Sequence, residues 1–185
     1  MPAVRWPEDD RPPVDQFLSA VAEHGGGARV IRSRDELAQF ASDVIDEHGI
    51  STVVATTEPV IEELAGVLVQ RGVELREFDG PSSAAADLGI TGAMAGIART
   101  GTVVVDGSAG RSPSLLPEVH LVLVAASDIV ETPAEVWRTL PDRFDGRLPS
   151  QVVLVTGPSK SADIEGVLTV GVHGPRAVWI GVLTD

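Results

Sequence analysis

Apolar side chains recur at Val14, Phe17, Leu18, Val21 and Ala22, a spacing that gathers them on one helical face, and Gly25-Gly26-Gly27 ends the run. ARVI then reads as a strand. Ser33 with Glu36 three residues on forms a capping box, and Leu37, Phe40, Ala41, Val44 and Ile45 repeat the helical stripe up to Gly49. STVVATT predicts the next strand, EPVIEELAGVLVQRG a third helix closed by Gly72, and VELREF a further strand. Helices and strands that alternate in this way predict an α/β fold with a mostly parallel sheet and flanking helices.

The pattern changes after residue 80. LGITGAMAGIA and TVVVDG, joined around Arg99-Thr100-Gly101, predict an antiparallel hairpin, with a short helix in the first arm as the alternative. GSAGRSPSLLPE reads as a glycine-containing loop with at most a short helix, followed by the fully apolar strand VHLVLVAA. Thr132-Pro133-x-Glu135 opens another helix, with Val136, Trp137, Leu140 and Phe144 expected inward. QVVLVTG, GVLTVGV and AVWIGVLTD supply the last strands. Residues 1–12, rich in proline and charge, are expected to form a loose arm, and 13–185 a single domain.

Composition narrows the function. The 185 residues, 43% of them apolar, suffice for one sizeable core. No apolar run approaches the ~20 residues of a membrane span, and the charged, proline-rich start lacks the apolar segment of a signal peptide, so a cytoplasmic location is expected. The absence of cysteine excludes disulfides, a thiolate nucleophile and cysteine ligation of zinc or iron–sulfur centres by this chain. The net charge of −13, spread along the sequence, argues against nucleic acid, which needs a basic stripe.

In open α/β sheets, ligands bind outside the strand C-termini, and three loops are expected there: Gly89 to Gly92, Gly107 to Ser114 and Gly157 to Ser161. Their glycines and hydroxyls suit a small anionic or polar ligand held by backbone N–H groups. TGPSKS carries the single lysine, Lys160, but has Ser159 and Leu154 where a nucleotide P-loop needs glycines. A helix starting near Ser159 leaves two readings open, an anion site and a capped turn. DGSAGRS has Asp106 where a hydrolase elbow needs glycine. An anion-cradling turn with Gly110 and Arg111 and a plain flexible turn both fit it. Asp163 and Glu165, two apart, do not face each other on a helix and make a poor acid–base pair. His120 and His173 lack the spacing of a metal motif, so no metal is assigned. His173, in a glycine turn, is the first choice for a polar ligand contact and the candidate for proton transfer.

Across three separated blocks, ITGAMAGIARTGTVVV, GRSPSLLPEVHLVLV and GPSKSADIEGVLTVGVHGPR, the chain resembles the LUD-domain family, the lactate utilisation protein C group. The resemblance implies an α/β fold similar to the ribose-phosphate isomerase and CoA-transferase group. It also implies a subunit or ligand-binding component supporting L-lactate oxidation to pyruvate, with iron–sulfur clusters held only by partner proteins and no cofactor in this chain. The different-class alternative is a stand-alone isomerase- or CoA-transferase-like enzyme acting on a small phosphorylated or acyl substrate. Assembly with further copies of itself is compatible with either. The matched positions, as ligand-binding candidates, are Thr91, Gly92, Thr100, Gly101, Thr102, Gly110, Arg111, Ser112, Ser114, His120, Gly157, Ser159, Asp163, Glu165 and His173, with Lys160 added as an anion contact. The family usually has an acid where this chain has Arg99, which is expected to add positive charge at the pocket mouth.

Overall fold

The structure, a computed structural model, describes residues 6–78, 80–108, 110–144, 149–162, 168–171 and 173–184. In chain order the elements are α1 (Pro13–Glu23), β1 (Gly27–Ile31), α2 (Arg34–His48), β2 (Thr52–Ala55), α3 (Pro59–Gln70) and β3 (Glu74–Leu75). Next come α4 (Gly80–Ala84), β4 (Leu88–Gly92), β5 (Ala95–Ile97), β6 (Thr102–Asp106), α5 (Ser112–Leu115) and β7 (Val119–Ala125). The chain continues through β8 (Ile129–Val130), α6 (Pro133–Thr139), β9 (Val152–Val155), β10 (Lys160–Ala162), β11 (Leu168–Val170) and β12 (Ala177–Leu183).

Six strands form a sheet in the order β1-β12-β7-β4-β2-β3, every neighbouring pair parallel. A second sheet runs β8-β5-β6-β9, with β5–β6 and β6–β9 antiparallel. The expected α/β architecture is therefore present, and the antiparallel hairpin lies at β5–β6. Its predicted first arm is two elements: Leu88–Gly92 joins the parallel sheet and only Ala95–Ile97 pairs with β6.

The local signals explain the ends of α2. Ser33 Oγ accepts from Glu36 N at 3.1 Å, Glu36 accepts from Arg32 N at 2.8 Å, and Gly49 stops the helix at φ 64°. Each face of the parallel sheet then finds a cover. Leu37, Phe40, Ile61 and Leu64 of α2 and α3 pack on Val53, Leu88, Ile90, Leu121 and Leu123. On the other face, Phe17 and Val21 of α1, with Val103 and Val105 of β6, pack on Val122, Val124, Ile180 and Val182. Val136 of α6 covers the outer side of the second sheet with Ala95, Ile97 and Val104.

Three local expectations are corrected. Trp137, expected inward, is 45% exposed, because α6 is short and Val136 and Leu140 occupy its contact face. VELREF supplies only the two-residue edge strand β3. No helix starts at Ser159: Lys160–Ala162 pairs antiparallel with Leu168–Val170, so local hairpin pairing uses the backbone groups that a helix start would have left free. Asp163 and Glu165 lie outside the described residues. Among the described residues no helix is long and apolar enough to cross a membrane.

Residues 6–12 carry bonds to the body of the fold. Gln16 donates to the carbonyls of Asp9 at 3.1 Å and Arg11 at 2.6 Å, and Arg99 donates to that of Pro7 at 2.5 Å.

Candidate functional site

The loops before β7 and before β12 meet at the N-terminal edge of the parallel sheet. Arg176 N donates to Glu118 O at 2.8 Å across this seam. Ser159 N donates to Pro175 O and Gly171 N donates to Ser159 O, both at 2.9 Å, so the 157–161 segment is laced to the same edge. Of the three expected loops, Gly89 to Gly92 is instead part of strand β4, because it pairs along β7, and 107–114 and 157–161 lie away from the C-terminal edge of the parallel sheet. The physical reason is strand order: β12 inserts between β1 and β7 and carries its preceding loop, with His173, to the edge where α5 enters β7.

These loops enclose a cleft of about 510 Å³. Its polar lining is Arg111, Ser114, Thr156, Ser159, Lys160, His24 and His173, and its apolar walls are Leu115, Val153, Leu154 and Val155. No carboxylate is among the described lining residues, although the chain has 27 acidic residues and a net charge of −13. Lys160 Nζ donates to His24 O at 2.7 Å, which satisfies a carbonyl at the C-terminus of α1 and fixes the ammonium at the rim. Gly157, at φ 73°, lies so close to the same turn that a Cβ would come within 2.7 Å of His24 O. The single lysine is therefore a clamp on α1 and a cation at the cleft at once.

A line of hydroxyls leads inward from the cleft. Thr156 Oγ1 lies 2.7 Å from Thr102 Oγ1, which lies 2.7 Å from Thr100 Oγ1. Gly101, in the turn between Thr100 and Thr102, takes φ 59° and presses against α1, where a Cβ would lie 2.5 Å from Val21 N. Gly110, at φ 130°, lies beside Phe78, and Ser112 begins α5.

Thr91 and His120 lie beneath this surface. Thr91 Oγ1 and His120 Nε2 are 2.9 Å apart and both residues are buried, His120 completely. Burial holds the His120 pKa down to about 3, so the ring is neutral at pH 7. Gly89 pairs with His120 in register, and a Cβ there would lie 1.8 Å from Pro113 O, so glycine lets α5 rest on the sheet over this pair. Gly92 ends β4 at the opposite edge, against the carboxylate of Glu58.

The structure thus brings Arg111, Ser114, Gly157, Ser159, Lys160 and His173 to one cleft, with Thr100 and Thr102 connected to it through Thr156. Gly92 lies at the other end of the sheet, and Thr91 and His120 are buried. Arg99 does not reach the cleft mouth as expected: its side chain, 11% exposed, pairs with Glu131. His24 and Thr156 carry no motif, and only the folded chain identifies them as cleft residues. The nearest sequence cue to Thr156 is its place at the end of an apolar strand, directly before Gly157. No group of three or more His, Asp or Glu side chains among the described residues is placed to hold a metal.

Fold and cleft together define an acidic α/β protein with a locally cationic, hydroxyl-lined pocket at one edge of a parallel sheet. The chain belongs to the LUD domain family, which it matches over residues 14–182. It is 36% identical over 160 residues to lactate utilization protein C of Halalkalibacterium halodurans, covering 80% of this chain and 70% of that protein. It is 44% identical over 114 residues to lactate utilization protein C 1 of Bacillus mycoides, covering 59% of this chain and 49% of that one. The fold matches the crystal structure of a DUF162 family protein from Deinococcus radiodurans with a TM-score of 0.67, at 22% identity, over 96% of this chain and 99% of that one.

Proposed function

We propose that this chain is a LUD-domain component of lactate utilisation that binds a small carboxylate- or phosphate-bearing ligand in the cleft at Arg111. The observation that carries the reading is electrostatic. A chain with a net charge of −13 gathers Arg111, Lys160, three hydroxyls and two imidazoles around one cavity, with no carboxylate among the described lining residues. A guanidinium offers a planar fork to a carboxylate or phosphate, and Ser114 and Ser159 add directional donors. The relatives are named for lactate utilisation, which supports that role; support of L-lactate oxidation to pyruvate is the reading that the family resemblance adds. In this reading iron–sulfur centres belong to partner proteins in the cytoplasm, in keeping with a chain that has no cysteine to ligate them. His173, on the cleft wall, is positioned to donate to the bound anion.

The reading as a stand-alone isomerase or CoA transferase is not favoured. Where the family usually has an acid, Arg99 is committed to Glu131 and to the carbonyl of Pro7.

The test is thermal unfolding with L-lactate, pyruvate and small phosphate esters. A ligand at 100 times its Kd adds about 2.7 kcal/mol, a rise of about 5–10 °C in Tm for a domain of this size. Arg111→Ala and His173→Ala each remove most of that rise while the unliganded Tm stays near the parent's. A parent-like response from both variants would overturn the site.

A further inference from the structure

The cleft at Arg111 adjoins a second cavity of about 530 Å³, and the two share Leu115, His173 and Gly174 as a common wall. Each volume lies within the ~300–1,000 Å³ of pockets that enclose drug-sized ligands. A three-carbon acid held at Arg111 would leave most of that space to water.

The unfilled part is mixed: Glu118 and Arg176, paired at 2.9 Å, line the second cavity, and the rest of its exposed side-chain wall is largely aliphatic. Among the described residues, seven large apolar side chains are exposed, and Leu115, Leu116 and Leu154 of these seven line the two cavities. Leu154 is 48% exposed on β9, an edge strand of the second sheet, at the cleft, whereas Val153 and Val155, on the strand's opposite face, pack against the core. Exposed apolar side chains scattered singly need no explanation, but a cluster beside a cationic pocket marks a surface that a ligand covers. No aromatic ring other than the imidazoles of His24 and His173 lines either cavity among the described residues, which suits an alkyl chain better than a planar base.

We propose that the ligand of this site is an anion with an alkyl segment, its charged head at Arg111, Ser159 and Lys160 and its chain along Leu154 and Leu115. The inference rests on the anion-binding reading above and adds that the site measures chain length as well as charge.

Isothermal titration of the full chain with propanoate, pentanoate and heptanoate, with L-lactate and heptan-1-ol alongside, tests it. Affinity is expected to rise about two- to fourfold per methylene, from the free energy of burying each CH₂. Heptan-1-ol should bind far more weakly than heptanoate. Arg111→Ala should weaken all the acids by a common factor, whereas Leu154→Ser, at an exposed position, should flatten the dependence on chain length. Matching the series with alkyl phosphates separates a carboxylate from a phosphate head, and either one with the chain-length slope supports the proposal. Equal affinity along the series with L-lactate still bound overturns the alkyl segment and leaves the anion site standing. Binding of heptan-1-ol as tight as that of heptanoate overturns the joint recognition of head and chain. No binding of any acid overturns both readings.

Discussion

Thr91 Oγ1 and His120 Nε2 lie 2.9 Å apart on adjacent parallel strands, sealed beneath the short helix that carries Ser114 into the cleft. His120 is fully buried and its Nδ1 has no hydrogen-bond partner among the described residues. The unfolded chain takes up a proton on this ring near pH 6.5, whereas burial delays protonation in the folded protein to about pH 3. The unfolded state therefore binds more protons between these values. The stabilising contribution is complete above pH 6.5 and is lost progressively as pH falls below it. In denaturant unfolding, the stability gap between the parent and His120→Gln should shrink by about 2 kcal/mol from pH 7 to pH 5, at ~1.4 kcal/mol per unit below 6.5. A gap that does not change with pH would show that His120 is not held neutral.

Asp87 ties the entry to β4 to the start of β2 through one oxygen. Its Oδ2 accepts from Ser51 N at 3.0 Å, Ser51 Oγ at 2.8 Å, Thr52 N at 2.9 Å and Thr52 Oγ1 at 2.8 Å. Partial burial opposes the charge, but the bonds from Ser51 and Thr52 outweigh it and hold the carboxyl below its ordinary value. Asp87→Ala should cost about 2 kcal/mol, the scale of hydrogen bonds to a charged group with part of the site open to water. With the folded pKa depressed, this stabilisation is present above the unfolded value of ~3.9 and lost as pH falls through the folded one. The parent's advantage over Asp87→Ala in urea should therefore persist at pH 6 and collapse toward pH 2.

Gly89 is the point where α5 touches the sheet. An added Cβ would lie 1.8 Å from the carbonyl oxygen of Pro113, a backbone atom that cannot rotate away. Gly89→Ala should destabilise the fold by about 1–3 kcal/mol through overpacking. Because α5 also brings Ser114 and Leu115 to the cleft, anion affinity should fall as well. Retained stability together with parent-like binding would mean that the helix is not seated where the site requires it.

Much of the architecture is legible because its causes are local. The stripe Leu37, Phe40, Ala41, Val44, Ile45 produces α2, and the Ser33–Glu36 box and Gly49 set its ends, since capping and periodicity act within a turn or two. The segment after Gly157 departs from its local signals, because its conformation depends on a partner strand further along the chain. Serines following a strand suit a helix start, but pairing with Leu168–Val170 decides the conformation, and that partner is visible only once the hairpin closes.

By itself the sequence determined the alternation of helices and strands, the absence of cysteine chemistry, and the residue types at the cleft: Arg111, Ser159, Lys160 and His173. The tertiary structure alone decided which edge of the sheet they occupy, that His24 and Thr156 join them, and that Thr91 and His120 close on each other out of reach of solvent. Propensity and capping are properties of a few consecutive residues. The placement of β12 between β1 and β7 depends instead on burying both faces of the sheet at once, a condition that only the assembled chain satisfies.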